Sequence, residues 1–226
     1  NYYETAIKID ANDIDFIVNA LTYTPSFYRG AALPTPGSSV EVIAIPHIYS
    51  GSVLISPQNL IFEWKRDGNT VPDQSGKGKN KLVFSLPQNM FATSNISLMV
   101  TSLNGDIAHE KMTVVNTHNP EVLFYKVSSL LGRLSRAIFF PLEVKSGEEF
   151  SMIAEPYFAD INSIFESSIS WFADDGKIPT SEENPFLIEL SSQPGTESEN
   201  EILFRMENSK NPLQKGEGKV KIKVNP

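Results

Sequence analysis

Apolar and polar residues alternate in short runs along most of this chain. Clear examples are residues 111–114 and 219–224, and the runs are separated by Gly, Pro, Asn and Asp. Alternation with a period of two is typical of β-strands that bury one face. The 3.6-residue spacing of an amphipathic helix is not found over any long stretch. The pattern predicts an all-β fold of antiparallel strands.

The chain also contains an internal repeat. Residues 39–48 align with 149–158, and residues 61–72 align with 168–179. The two tryptophans, Trp64 and Trp171, fall at equivalent places in the two copies. The repeat predicts two tandem antiparallel β-sandwiches, with the tryptophans in the same core position of each.

Three pairs of residues predict tight hairpin turns. Asp67-Gly68 and Asp175-Gly176 follow the two tryptophan strands, and Asn104-Gly105 lies between two later alternating runs. Asp-Gly and Asn-Gly pairs supply the positive φ angles that a two-residue turn requires.

The repeat also predicts domain boundaries. Residues 1–12 form an N-terminal strand, residues 13–117 the first immunoglobulin-like domain and residues 118–226 the second. The N-terminal strand is interpreted either as the end of a preceding repeat or as a docking strand. Residues 5–9 alternate, so we expect them to pair with a sheet edge of this chain or of a neighbouring copy.

A Trp-bearing strand, an Asp-Gly turn and a closing alternating strand occur in both halves. This combination resembles bacterial immunoglobulin-like domains and is similar to the polycystic-kidney-disease-type modules of secreted and surface proteins. The chain departs from true immunoglobulin domains because no Cys pair flanks either tryptophan. The resemblance therefore implies a sandwich and not antigen-type recognition.

Composition narrows the function classes. The 226 residues are 40% hydrophobic and 20% charged, carry a net charge of −8 and include no cysteine. The acidic balance disfavours a nucleic-acid partner, and the absence of cysteine excludes disulfides and thiolate chemistry. The longest apolar run, residues 137–142, is far shorter than the roughly 20 residues that a membrane helix needs.

No catalytic, cofactor-binding or metal-binding residue is predicted, and no cofactor is expected. His47, His109 and His118 lack the spacing of a metal site, and the glycine- and lysine-rich segment 76–81 lacks the order of a phosphate loop. Calcium at Asp10, Asn12, Asp13 and Asp15 is the less favoured alternative to turn formation. The pairs Glu148-Glu149 and Asp174-Asp175 do not indicate glycoside chemistry, because adjacent strand residues point to opposite faces.

The segment with Tyr23, Phe27, Tyr28 and Arg29 leaves two interpretations open. Its prolines exclude a central strand. The aromatics either cover the open end of the first sandwich, which we favour, or form an exposed contact patch for a sugar or protein.

These observations predict a non-enzymatic structural or adhesion module, extracellular or at the cell surface, that serves as a stalk, adhesin or fibre subunit. The expected partner is a protein or glycan at the cell surface, and self-association by strand addition stays open. The alternatives are an exported glycan- or protein-binding module and an accessory domain of a secreted hydrolase.

Overall fold

The computed structural model describes residues 12–174 and 176–226. Within them the structure consists of β-strands joined by turns, with the short helix α1 (Ile161–Phe165). The strands before residue 117 are β1 (Asp13–Ala20), β2 (Ser39–His47), β3 (Tyr49–Ser50), β4 (Val53–Leu54), β5 (Leu60–Arg66), β6 (Asn69–Thr70), β7 (Gly76–Lys77), β8 (Lys81–Ser85), β9 (Thr93–Ser102) and β10 (Ala108–Asn116). Those after it are β11 (Glu121–Ser128), β12 (Gly132–Ala137), β13 (Leu142–Lys145), β14 (Glu149–Tyr157), β15 (Ser168–Ala173), β16 (Gly176–Ile178), β17 (Leu187–Ser191), β18 (Ser198–Glu207) and β19 (Gly216–Asn225).

The chain divides into two compact units. The first contains the described chain up to Ala20, Ser39–Ser85 and Thr93–Asn116, and the second contains Leu21–Ser38, Leu86–Ala92 and Thr117–Pro226. This grouping differs from the predicted division into 13–117 and 118–226, because two segments that precede residue 117 belong to the second unit. The predicted N-terminal strand, including residues 5–9 and their edge pairing, lies outside the described residues.

Each unit is a sandwich of two sheets. In the first, the sheet β1-β2-β8 faces the sheet β10-β9-β5-β6, with β7 beside β5. In the second, the sheet β12-β11-β14-β17 faces the sheet β13-β19-β18-β15-β16. The pairs are antiparallel except β13 and β19, which are parallel. The predicted all-β fold of two immunoglobulin-like sandwiches is therefore confirmed, with one parallel pair added to the second.

The tryptophans occupy equivalent core positions, as the repeat predicts. Trp64 on β5 and Trp171 on β15 are both fully buried. Each indole N–H donates to a backbone carbonyl at 2.9 Å, that of Lys79 or of Pro185. An aromatic ring from the first strand of the unit, Phe16 or Phe124, lies 5.8 Å from each indole.

The hairpin after each tryptophan strand begins with a positive-φ aspartate. Asp67 has φ +50° and Gly68 φ +81°, as expected for the predicted Asp-Gly turn. In the second unit Asp174 has φ +49°, and Ala173 pairs with Gly176. The prediction that Gly176 is a turn residue was therefore wrong, because Gly176 already lies in β16, and Asp175 lies outside the described residues. Gly105, at φ +79°, turns the chain between β9 and β10 as predicted.

Candidate functional site

A layer of aromatic side chains covers the outer face of the sheet β12-β11-β14-β17 in the second unit. Phe27 lies edge-on to Tyr125 at 5.4 Å between ring centroids, and Tyr28 lies edge-on to Tyr157 at the same distance. Phe158 lies 5.7 Å from Tyr28. We call these five residues the aromatic layer. Two of them come from the segment 21–38 and three from the sheet and its end.

Backbone hydrogen bonds secure the start of the segment 21–38. The Tyr23 N–H donates to the Ala159 carbonyl at 2.8 Å, and the Phe158 N–H donates to the Tyr23 carbonyl at 2.7 Å. These two hydrogen bonds pair the start of the segment with the end of β14 in the manner of a short strand. The aromatic residues Phe27 and Tyr28 follow this pairing along the chain. Pro25 of this segment is buried, although the fixed φ angle of proline would suit an exposed loop equally well.

A buried glutamine holds the other end of the segment. The Gln214 side chain is fully buried and its Nε2 donates to Thr35 Oγ1 at 2.8 Å and to the Pro36 carbonyl at 2.7 Å. Its Oε1 accepts from the Asp160 N–H at 2.7 Å. Both N–H groups and the oxygen of this amide are therefore used, which is the condition for burying it without a large desolvation cost.

An arginine and a glutamate lie within the same layer. The Arg133 guanidinium carbon is 3.2 Å from the Phe27 ring centroid, and its Nε is 3.6 Å from Glu155 Oε1. Burial raises the pKa of the Glu155 carboxyl, and the Arg133 charge and a hydrogen bond with Tyr23 oppose that rise. Burial also raises the pKa of the Tyr157 hydroxyl, which shares a 2.7 Å hydrogen bond with the Tyr125 hydroxyl. These groups contact one another and hold the segment in place.

The expectation that Tyr23, Phe27 and Tyr28 close the first sandwich was wrong. Phe27 and Tyr28 pack with Tyr125, Tyr157 and Phe158 in the second unit, because the outer positions of β11 and β14 are apolar enough to need a cover. The three aromatic side chains are half-buried, whereas Arg29 is exposed. Of the four residues in the alternative contact patch for a sugar or protein, only Arg29 is therefore exposed.

The acidic cluster and His47 have separate partners in the first unit. Asn12 Oδ1 accepts from the Tyr49 N–H at 2.7 Å, Asp13 pairs with Lys111 at 3.1 Å, and Asp15 contacts His47 at 3.0 Å. Asp10 lies outside the described residues. Hydrogen bonds from the Ile14 backbone and from Lys111 lower the pKa of Asp13. The cluster thus connects β1 with β2 and β10.

The remaining histidines lie apart. His109 is on the edge strand β10, and the His118 N–H donates to the Pro34 carbonyl at 2.7 Å. In the part of the chain that the structure describes, no group of three or more His, Asp and Glu residues is arranged to hold a metal ion. The described residues also include no helix long and apolar enough to cross a membrane.

One carboxylate of each predicted pair, Glu148 or Asp174, accepts hydrogen bonds from neighbouring residues. Glu148 accepts from the Lys145 N–H at 2.9 Å and from Lys126 Nζ at 3.0 Å. Asp174 accepts from Asn200 and from the Glu201 N–H. In each case these hydrogen bonds lower the pKa of the carboxyl.

In the segment 76–81 the Lys79 carbonyl is the acceptor for Trp64, while Lys79 Nζ donates to the Asp73 carbonyl at 2.8 Å. Lys81 Nζ lies 2.9 Å from Glu41 Oε1. These contacts join the segment to the strands around it.

A groove of about 670 Å³ lies on the outer face of the second unit's sheet β12-β11-β14-β17. Its polar lining includes Lys126, Glu149, Ser151 and Glu189. Ser151 and Glu189 are cross-strand neighbours on β14 and β17. The groove offers hydroxyls and carboxylates as hydrogen-bond partners, together with apolar surface from Leu134. Sequence analysis did not predict it, because it depends on how β11, β14 and β17 are arranged side by side.

The sequence contains one signal of the aromatic layer. Val122, Leu123, Phe124 and Tyr125 are consecutive apolar residues on β11. Val122 and Phe124 lie in the core between the sheets, whereas Leu123 and Tyr125 pack with the residues of the aromatic layer. A continuous apolar strand is typical of a sheet that is covered on both faces.

Comparisons with known proteins show a fold likeness without a family. No family model and no curated protein sequence matches the chain. Among solved structures, the Clostridium thermocellum CbhA fibronectin(III)-like modules match over 92% of this chain and 94% of theirs, at 15% identity and a TM-score of 0.31. Three N-terminal domains of the bacteriophage RB49 highly immunogenic outer capsid protein match over 95% of this chain at 13% identity and a TM-score of 0.42.

A third structure, SGBP-B of the Bacteroides ovatus mixed-linkage glucan utilization locus in complex with a mixed-linkage heptasaccharide, matches over 92% of this chain at 15% identity and a TM-score of 0.26. This chain spans 59% of the phage structure's chain and 47% of the Bacteroides one. At these identities and TM-scores the three matches indicate a likeness of fold alone.

Proposed function

We propose that the chain is a non-catalytic structural or adhesion module of tandem immunoglobulin-like domains that works outside the cell or at its surface. The observation that supports it most is the way the second unit is assembled. Its segments Leu21–Ser38 and Leu86–Ala92 lie, in chain order, between strands of the first unit. No single linker therefore separates the two units, which suits a stalk or adhesin that must remain intact under tension.

The use of the polar side chains supports the same proposal. Candidates for acid–base chemistry, such as Glu148, Asp174 and His47, contact neighbouring strands and turns. A catalytic site instead needs a nucleophile, a base and an orienting group that converge where a substrate can lie.

Surface location is tested by treating intact cells of the source organism with trypsin and identifying the released peptides by mass spectrometry. We expect peptides of this chain in the supernatant of intact cells or in the medium, together with known surface proteins. Release only after lysis, alongside cytosolic control proteins, would contradict an extracellular role.

A glycan-binding role is the second candidate, and the groove on the second unit favours it. Its serines and the carboxylates of Glu149 and Glu189 are typical partners for sugar hydroxyls. The test is a glycan array probed with the wild-type chain and with Glu189→Ala. Binding that the substitution abolishes would support this role, while an array without signal would leave the stalk proposal preferred.

A further inference from the structure

The sheet β1-β2-β8 of the first unit exposes aliphatic side chains on its outer face. Ile17, Ile45 and Val83 are 44%, 39% and 44% exposed, and Ile43 is half-buried beside them. Ile17 lies directly across from Ile43 in the pairing of β1 with β2. Charged pairs border the row, since Asp15 contacts His47 and Glu41 contacts Lys81. We call this surface the aliphatic face.

The corresponding surface in the second unit is covered. The repeat aligns Ile43 with Ile153, and the partner of Ile153 on the neighbouring strand is Tyr125, just as Ile17 is the partner of Ile43. Tyr125 and Ile153 lie under Phe27 and Tyr28. The covering residues come from the connection between the first unit's β1 and β2. The molecule therefore contains one example of how this kind of face is completed: by two adjacent aromatic residues, Phe27 and Tyr28, from a connection between paired strands. The segment that carries them belongs to the second unit.

The second unit has the equivalent connection, between β11 and β14, and that connection carries two adjacent aromatics as well. Phe139 and Phe140 lie between β12 and β13 and are 70% and 75% exposed. The residue before them is anchored, because the Ile138 N–H donates to the Phe124 carbonyl at 2.8 Å and Ile138 packs on the core. An exposed Phe-Phe pair next to an anchored residue suits an interface contact.

We propose that Phe139 and Phe140 of one copy of this chain bind the aliphatic face of a second copy, centred on Ile17, Ile43 and Ile45. This inference rests on the proposed structural role and names its partner as the protein itself. The contact joins different surfaces on the two copies, so it is heterologous and can repeat head to tail from copy to copy.

The size of the contact sets its strength. Two phenylalanine rings bury at most about 500 Å² on one side, which is less than the roughly 800 Å² per partner of a standard stable interface. Self-association is therefore weak and concentration-dependent in solution. Anchoring of many copies on one surface raises their effective concentration and favours chains there.

The test is sedimentation velocity over a concentration series of purified chain. Wild type is expected to show a mass that rises with concentration, and the double substitution Phe139→Ser with Phe140→Ser is expected to weaken self-association about tenfold or more. Ile17→Ser with Ile45→Ser is expected to do the same from the other side. Phe165→Ser and Met112→Ser are matched controls, since these side chains are 85% and 67% exposed elsewhere in the two units, and both are expected to associate as wild type does.

A mixture of the two double variants separates this contact from others. Each variant keeps one intact half, so the mixture should form one-to-one complexes more readily than either variant associates alone. A wild type that stays monomeric at every concentration, controls that lose association equally, or a mixture that does not pair would overturn the proposal. Thermal unfolding of each variant confirms that it is folded. Because surface location is measured on intact cells, a monomeric wild type found there would refute this inference and leave the proposed function standing.

Discussion

Replacement of Phe27 by alanine tests whether the segment 21–38 stabilises the second unit. The half-buried ring contributes about 1 kcal/mol of apolar transfer free energy, and its edge-on contact with Tyr125 adds about 0.5–1.5 kcal/mol. The Arg133 guanidinium, 3.2 Å from the ring centroid, adds about 0.5–2 kcal/mol. The free energy of unfolding of the second unit should therefore fall by about 2–4.5 kcal/mol.

Tryptophan fluorescence during urea denaturation reports on each unit separately. The chain has two tryptophans, so Trp64→Phe leaves Trp171 as a reporter of the second unit and Trp171→Phe leaves Trp64 as a reporter of the first. Phe27→Ala should lower the Trp171 midpoint by about 1–2 M urea.

Phe165→Ala, at a ring that is 85% exposed, is the control and should change the free energy of unfolding by no more than about 0.5 kcal/mol. The reasoning is refuted if Phe27→Ala leaves the Trp171 transition unchanged within that margin, or if the loss is confined to the Trp64 transition.

Three further changes probe the same architecture. Gln214→Leu removes three hydrogen bonds from a fully buried amide and should lower the free energy of unfolding by about 2–4 kcal/mol. Trypsin should then cut faster after the exposed Arg29. An unchanged cutting rate would show that the amide does not hold the segment. Gly37→Ala should lower the thermal unfolding temperature more than Gly51→Ala. Both glycines have positive φ, but only at Gly37 would a Cβ lie 3.1 Å from Asn211 and Gln88. Equal decreases for the two variants would contradict the steric part of this argument. Glu148 has a pKa below its ordinary 4.5, chiefly through the Lys145 N–H and then Lys126, so its ionised form adds stability above pH 4.5 that is lost as pH falls through the lower folded-state value. Glu148→Gln should therefore flatten the acid side of the stability–pH curve measured by denaturation, and a curve as steep as that of wild type would contradict this assignment.

Local patterns in the sequence determined the strands and the repeat. Side chains alternate along a strand as a direct result of backbone geometry, so runs such as that of β19 could be recognised without any knowledge of their neighbours. The equivalence of Trp64 and Trp171 could also be predicted, because each tryptophan lies at the same place in a repeated pattern and each is buried in its own unit.

Tertiary structure alone decided where the segment 21–38 belongs. Its contacts with Tyr125, Tyr157 and Gln214 join residues that are far apart in the chain, and neither the prolines nor the aromatics of the segment specify which sheet they cover. Tyr125 can be placed on an outer face by alternation, but its cover depends on which other segment reaches it.

The outer faces of the sheets β1-β2-β8 and β12-β11-β14-β17 also differ in a way that the sequence pattern does not predict. Ile17 and Tyr125 occupy equivalent places in the repeat, yet Ile17 is 44% exposed and Tyr125 only 4%. Alternation predicts that both point away from the core. Only the path of the chain decides that one of them is covered, because burial of an outward side chain requires a partner surface that its own strand cannot supply.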